Sequence, residues 1–292
     1  MKQSWRNRIG VFDSGVGGLT VLRKLYRYLP KESILYFADT LRLPYGKRSR
    51  EEIILFVRQI LDWMKSEGVK MVIMACNTSS ALALEVVQSE YDFPILGLIH
   101  PAARGAVKKG KRIGIIATVA TVKSNAYLNA IKEINPRIPV WQVGCPEFVP
   151  LIEENRIYDP YTKRVAREYL QPLIENRIDT LVYGCTHYPH LKGILTEIIP
   201  FPVHFVDPAE YVCIAAAREL ELLNLKNHSH PLPTRFCVSG DSQEFAAKCK
   251  RWLGFTPQVE TVTLPVVTRI SSSTVKNDKT VFQSLPSEIL TF

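Results

Sequence analysis

Short apolar runs alternate with amphipathic segments along almost the whole chain, a pattern typical of strand–helix units built around parallel sheets. In the first part of the chain, apolar runs predict strands at residues 8–12, 34–37 and 70–75. The 3.6-residue periodicity between them predicts a helix at residues 19–29, and a second that begins at the capping box Ser49 to Glu52 and ends at Gly68. The pattern therefore predicts an α/β protein.

The second half of the chain repeats this plan after a predicted strand at residues 94–99. The segments "RIGVFDSG" and "MVIMACNTS" of the first half are answered by "RIGIIATVA" and "TLVYGCTHYP", and a helix is predicted at residues 121–134. Each half thus places one cysteine, Cys76 or Cys185, at the carboxyl end of a predicted strand, the edge where α/β sheets bind ligands. We expect two similar parallel-sheet domains, related by a pseudo-two-fold axis, with the active site in the cleft between them.

The last part of the chain sets the domain boundaries. The pattern predicts three elements there: a helix at residues 208–223, a strand at 235–238 and a helix at 243–252. These are too few to bury a core alone, so we expect them to fold onto the first domain. The first domain is then predicted to comprise residues 1–98 and 208–264, and the second residues 99–207. Residues 265–292 are rich in serine and threonine with little periodicity, which predicts a poorly ordered tail.

Composition narrows the class of protein. The 292 residues are 46% hydrophobic and 22% charged, which excludes disorder, collagen and coiled coil. No apolar run approaches the ~18 residues of a membrane span, and the N-terminus is too polar for a signal peptide, so we expect a soluble cytoplasmic protein. None of the six cysteines is closer to another than Cys237 is to Cys249, which argues against a disulfide framework or a zinc site.

The glycine-rich turn "DSGVGGLT" after the first strand has the position of a phosphate-binding loop. It lacks the third glycine of the dinucleotide motif, where Thr20 stands, and it lacks the lysine of a P-loop. Asp39, at the end of the next strand, keeps a dehydrogenase as a minor alternative. The turn does present Asp13 and Ser14 at a strand tip, beside glycines that let a ligand approach the backbone. The other interpretation is a tight turn whose aspartate only caps a helix.

The two cysteine motifs, "CNTSS" and "CTHYP", carry the strongest chemical signal. A single cysteine at a strand end is more often packing than chemistry, but two in repeated contexts favour chemistry. The side chains of Asn77, Thr78 and Thr186 can donate hydrogen bonds to a carboxylate. His187 lies two residues after Cys185 and can raise its thiolate fraction or exchange protons with it.

The remaining features carry weaker signals. Cys213, Cys237 and Cys249 lie on helical or strand patterns and are predicted to pack, while Cys145 has no mirrored partner. The net charge of +9 leaves open an anionic partner, either nucleic acid or a small metabolite. The basic clusters at residues 46–50 and 108–112 lack the interleaved aromatics of a nucleic-acid platform, so solvated loops are the better interpretation. The other histidines have no metal-ligand spacing, and no metal site is predicted.

The chain contains, in this order, the motifs "GVFDSGVGGLTV", "PYG", "ACNT", "TVKSNAY", "FVPLIE" and "YGCTHYP". Their order and spacing, over residues 9–252, resemble the glutamate racemase family, cofactor-independent enzymes that make D-glutamate for peptidoglycan. The resemblance implies two acid/base thiols, Cys76 acting on D-glutamate and Cys185 on L-glutamate. Asp13 would assist the first thiol and His187 the second, with Glu153 as a further carboxylate.

The resemblance also implies a substrate site, no cofactor, and a homodimer. The residues expected to contact glutamate are Asp13, Ser14, Tyr45, Gly46, Asn77, Thr78, Thr118, Thr121, Thr186 and His187. One departure from the family pattern is His100 in "GLIHPAA", where many members have glutamate. Two other classes stay open beside this one. A nucleotide-binding enzyme would bind NAD or ATP saturably, and a nucleic-acid-binding module would show salt-dependent affinity for DNA without racemisation.

Overall fold

The computed structural model describes residues 4–264, so the predicted tail at 265–292 lies outside the described residues. The strands follow one another along the chain as β1 (Ile9–Asp13), β2 (Ile34–Ala38), β3 (Met71–Met74), β4 (Ile95–Gly97), β5 (Ile113–Ala117), β6 (Val140–Gly144), β7 (Thr180–Gly184), β8 (His204–Val206), β9 (Arg235–Val238) and β10 (Val259–Thr261).

Helices connect nearly all of these strands. They are α1 (Leu19–Tyr28), α2 (Arg50–Ser66), α3 (Asn77–Val87), α4 (Ile99–Lys109), α5 (Val119–Lys123), α6 (Ala126–Ile134), α7 (Phe148–Glu153), α8 (Pro160–Glu175), α9 (Lys192–Ile198), α10 (Pro208–Leu222) and α11 (Ser242–Leu253). Three short 3₁₀ segments, Thr40–Arg42, Tyr45–Lys47 and Tyr188–Leu191, lie in the loops.

The strands form two parallel sheets, which confirms the predicted fold class. The first sheet has the order β10-β9-β2-β1-β3-β4, and the second has the order β6-β5-β7-β8. The first sheet therefore takes strands from both ends of the described chain, with β9 paired to β2. The limits of the two domains themselves stay a prediction.

The central strands are mostly apolar because both faces of each sheet are covered by helices. Every residue of β1, β5 and β7 is buried. One hydrophobic cluster contains side chains from both sheets, among them Val11 of β1 and Leu181 of β7. This shared cluster joins the two sheets and holds their carboxyl edges around a common space.

Two local predictions meet different outcomes. The capping box is confirmed, since Ser49 Oγ accepts from the N–H of Glu52 at 3.1 Å and the Glu52 carboxylate accepts from Ser49 N–H at 2.9 Å. The single helix predicted at residues 121–134 is wrong. It is split into α5 and α6 because Asn125 adopts a left-handed conformation, with φ of 55°, which an asparagine tolerates better than most residues.

Candidate active site

The carboxyl ends of strands from both sheets open onto one cavity of about 570 Å³. Asp13 ends β1, Cys76 lies between β3 and α3, and Cys185 directly follows β7. The sequence-predicted residues that line the cavity are Asp13, Ser14, Tyr45, Gly46, Cys76, Asn77, Thr78, Thr118, Glu153, Cys185, Thr186 and His187. Thr121 is the exception among the predicted residues. It is buried behind the wall, where its Oγ1 lies 3.0 Å from Thr118 Oγ1.

A chain of three side chains leads away from Cys185. The sulfur of Cys185 lies 3.7 Å from Nδ1 of His187, and Nε2 of the same ring lies 3.0 Å from Oε1 of Glu153. Glu153 is the last residue of α7 and so reaches the cavity from a different element of the second half. The arrangement links a thiol to a carboxylate through an imidazole, the geometry of an assisted acid/base group.

The imidazole of His187 is held in its charged form. Burial by itself lowers the pKa of His187, but hydrogen bonds to Cys185 and Glu153 outweigh burial and raise this pKa to about 10. Burial raises the pKa of Glu153, yet the hydrogen bond and charge of His187 bring it below its ordinary value. A cation at this distance from the sulfur would favour negative charge on Cys185.

Cys76 occupies a different environment. Its sulfur lies 4.0 Å from Ser14 Oγ, and burial, followed by the charge of Asp13, raises the pKa of this thiol to about 12. The Asp13 carboxylate accepts hydrogen bonds from the N–H groups of Gly15 at 3.0 Å and Gly18 at 2.9 Å. Burial raises the pKa of Asp13, and the nearby charge of His187 opposes that rise. Cys76 is therefore a protonated thiol at neutral pH, next to a carboxylate that can exchange its proton.

Hydrogen-bond donors for an anionic ligand belong to the same cavity lining as the two thiols. Asn77 Oδ1 accepts a hydrogen bond from the hydroxyl of Tyr127 at 2.6 Å. Its Nδ2 is buried and has no hydrogen-bond partner within residues 4–264. A buried amide N–H₂ without a partner is costly, so a ligand in the cavity is the natural acceptor.

The second source of donors is a group of three hydroxyls. Thr78 Oγ1 lies 3.1 Å from Thr118 Oγ1 and 3.4 Å from Thr121 Oγ1. Thr118 lines the cavity, whereas Thr121 supports it from behind. Thr78 comes from the first half of the chain and the other two from the second, so this contact also joins the halves.

Tyr45 and Gly46 lie on the loop that follows β2. The hydroxyl of Tyr45 donates to Asp39 Oδ2 at 2.5 Å, and the Arg42 guanidinium lies 2.7 Å from the same carboxylate oxygen. Asp39 thus holds this loop in place and is not free to bind a ribose, which removes the support for a dehydrogenase. Tyr45 and Gly46 both line the cavity, and the buried ring of Tyr45 packs against Phe56.

The glycine-rich turn has a packing role that the sequence did not reveal. A Cβ at Gly17 would lie 2.5 Å from Nδ1 of His187 and 2.5 Å from Thr186 Oγ1. The hydroxyl of Thr20 also donates to the carbonyl of Thr186 at 3.1 Å. The turn after β1 therefore contacts the loop that carries Cys185, and only glycine fits at residue 17.

Sequence reasoning missed Cys145, which lines the cavity directly after β6. Its position at a strand end could not be read from the sequence, because β6 has no continuous apolar run and all of its residues are half-buried. Cys213, Cys237 and Cys249 are buried and are not part of the cavity lining.

Among residues 4–264 no group of three or more histidine, cysteine or acidic side chains could hold a metal ion. In the same part of the chain, no helix is long and apolar enough to cross a membrane.

The fold and the site together define a class of protein. The sequence profile of the Asp/Glu/Hydantoin racemase family matches residues 9–216, and the chain belongs to this family. It is 63% identical over 273 residues to the glutamate racemase of Gloeothece citriformis, covering 94% of this chain and 98% of the relative. It is 66% identical over 265 residues to that of Microcystis aeruginosa, covering 90% and 94%.

Solved structures lead to the same family. A glutamate racemase isoform from Bacillus anthracis superposes with a TM-score of 0.86 at 38% identity, covering 89% of this chain and 99% of that one. The Francisella tularensis glutamate racemase, solved in complex with D-glutamate, gives a TM-score of 0.84 at 35% identity, covering 89% and 98%.

Proposed function

We propose that this protein is a glutamate racemase that interconverts L- and D-glutamate by proton transfer between two thiols, and that it supplies D-glutamate for peptidoglycan synthesis. The observation that carries the proposal is the placement of Cys76 and Cys185 at strand ends of two different sheets, both lining one cavity. The high identity to glutamate racemases over most of the chain supports the choice of substrate.

Racemisation removes the α-proton from one face of the amino acid and returns a proton to the other face. One thiol acts as a thiolate base while the other acts as an acid, and the roles reverse with the direction of reaction. Thiols in two sheets that face a shared cavity can approach a substrate from opposite sides. No cofactor enters the proposal, so the protein itself must stabilise the carbanion.

The two thiols differ in a way that suits this division of labour. With a pKa raised to about 12, Cys76 is protonated at neutral pH and can serve as the acid. Cys185 lies beside the charged imidazole of His187, which favours a role as the base. We therefore propose that the free protein is prepared for L-glutamate, whose α-hydrogen would face Cys185. Asp13 and His187 would hold the protons that the thiols exchange.

Stabilisation of the carbanion is assigned to the donors beside the thiols. The free amide of Asn77 and the hydroxyls of Thr78 and Thr118 would bind the α-carboxylate, where negative charge accumulates in the transition state. The N-terminus of α3, an 11-residue helix that begins at Asn77, adds a favourable dipole. Ser14, Gly46 and Thr186 are assigned to the remaining polar groups of glutamate.

The test is racemisation by three alanine variants. Racemisation is followed as the decay of optical rotation, starting from either enantiomer. Cys76→Ala and Cys185→Ala should each abolish this decay. Cys213→Ala is the matched control, because this cysteine is equally buried but lies on α10, outside the cavity lining. Full turnover by either cavity variant would contradict the two-thiol mechanism, and no turnover by the wild-type protein would contradict the substrate.

Three further parts of the proposal concern the whole molecule. A homodimer is proposed, and light scattering after size exclusion should give about twice the mass of one chain. A cytoplasmic location is proposed, and fractionation of cells should recover the protein with the cytosolic enzymes. The domains are proposed to comprise residues 1–98 with 208–264, and residues 99–207.

A further inference from the structure

Arg251 links α11 to the helix that carries Glu153. Helix α11 connects β9 to β10 and therefore belongs to the first sheet. Near its end, Nη2 of Arg251 donates to the carbonyl of Ile152 at 2.9 Å and to that of Glu153 at 3.0 Å. These carbonyls end α7, which follows β6 of the second sheet. A side chain from a helix of the first sheet thus binds the carboxyl end of a helix of the second sheet.

The chemistry of this contact explains why it matters for Glu153. The last carbonyls of a helix have no intrahelical partners, and a cation there also complements the helix dipole. Helix α7 spans only six residues, Phe148–Glu153, and so short a helix is weakly stable alone. The Arg251 guanidinium ties down the residue whose carboxylate binds His187.

The neighbouring residue contacts the histidine itself. The ring of Trp252, which is buried, packs edge-to-face against His187 with centroids 5.4 Å apart and against His190 at 4.2 Å. Burial, followed by the charge of His187, lowers the pKa of His190 to about 4. His190 is therefore neutral, and His187 is backed by uncharged rings on this side.

We propose that Arg251 is a positioning residue for the reaction. It holds the Glu153–His187 pair in place beside Cys185, while Trp252 packs against the imidazole. This inference rests on the proposed racemase function. It assigns to α11 a part in catalysis through the second sheet's thiol, although no atom of Arg251 lines the cavity.

The first experiment compares Arg251→Met with Lys250→Met. Lys250 is exposed on the same helix, one residue away, so both variants lose one positive charge. Because two hydrogen bonds from a charged donor are lost, Arg251→Met should lower kcat by about three- to tenfold. The KM for glutamate should change less than kcat, since Arg251 does not contact the substrate. Lys250→Met should match the wild type.

The second experiment repeats the substitution in a Glu153→Ala background. If Arg251 acts through Glu153, its loss adds little once that carboxylate is gone, so the two effects on kcat should be strongly non-additive. The same fold-loss in both backgrounds would overturn the proposal, as would an Arg251→Met enzyme with wild-type kcat. Wild-type racemisation, measured first, tests the proposed function separately from this inference.

Discussion

Nε2 of His187 lies 3.0 Å from Oε1 of Glu153, and the other ring nitrogen faces the sulfur of Cys185. Glu153 and His187 therefore form a partly buried ion pair, and the imidazole also contacts one of the two cavity thiols. Beside Cys76, the Asp13 carboxylate accepts hydrogen bonds from the backbone N–H groups of Gly15 and Gly18. The two thiols therefore have different neighbours, which leads to predictions for each side.

The contribution of His187 to stability should decline as pH rises. Its pKa is raised from an ordinary value of 6.5 to about 10, so the folded state binds the proton more tightly than the unfolded state. The stabilisation is fully present below about pH 6.5 and is lost as pH rises through 10. The free energy of unfolding, measured in urea, should be higher for the wild type than for His187→Gln. This difference should be roughly 1–3 kcal/mol larger at pH 6 than at pH 10. A difference independent of pH would contradict the ion pair.

Asp13→Asn should change the reactivity and the catalysis of Cys76 in opposite directions. The charge of Asp13 contributes to the raised pKa of this thiol, so its removal should lower the pKa and speed alkylation by iodoacetamide. Racemisation should fall, because the variant lacks the carboxylate that we propose exchanges the proton with Cys76. Peptide mass spectrometry measures the alkylation, with the exposed Asp62→Asn as control. Slower alkylation of Cys76 in Asp13→Asn would show that the charge does not act as described.

Gly17→Ala should lower activity although it removes none of the side chains proposed to act in catalysis. The new methyl would lie 2.5 Å from both the His187 ring and Thr186 Oγ1, so the loop that carries Cys185 must shift. We expect a loss of stability of about 1–3 kcal/mol from the overpacking. We expect kcat/KM to fall by about 100-fold, the effect of moving a catalytic group by about 1 Å.

The control for this variant is Gly193→Ala. A Cβ at Gly193 meets nothing within 4 Å, and the residue lies in α9. Activity should stay at the wild-type level, and thermal unfolding should be unchanged or slightly higher. Equal activity losses in the two alanine variants would mean that crowding at residue 17 is not the cause.

Asn77→Asp should weaken substrate binding while keeping the fold. The new carboxylate can still accept the hydrogen bond of Tyr127, but the unpartnered N–H₂ is replaced by an acceptor that repels the substrate carboxylate. Loss of a donor of this kind should lower kcat/KM by about 100-fold or more. Tyr127→Phe only frees the amide to rotate, so a smaller loss is expected. An Asn77→Asp enzyme with wild-type kcat/KM would exclude the amide as a ligand group.

Much of the site could be predicted because it lies at strand ends. The apolar runs of β1, β3 and β7 are short and uninterrupted, and Asp13, Cys76 and Cys185 stand at or just after their ends. Parallel strands place such residues at one edge of a sheet. The weak internal repeat then indicated that the two cysteines occupy equivalent positions. These are local signals, carried by residues adjacent in the chain.

Other features carried no local signal. The break at Asn125 interrupts a periodic apolar pattern that continues on both sides, so the pattern indicated one helix. Cys145 follows β6, whose residues are all half-buried and lack a continuous apolar run. Gly17 seemed to serve a turn, while its neighbours His187 and Thr186 come from the other half of the chain.

The class of fold, the two cavity cysteines and the acid or imidazole beside each could be predicted from periodicity and from order along the chain. The folded structure was needed to show which pKa values are shifted, that the Asn77 amide has no partner within residues 4–264, and what holds the Glu153–His187 pair beside Cys185. These features join residues far apart in the chain: Glu153 and His187 are 34 residues apart, and Arg251 is 98 residues from Glu153. Burial and contact between such positions arise only when the two sheets pack together.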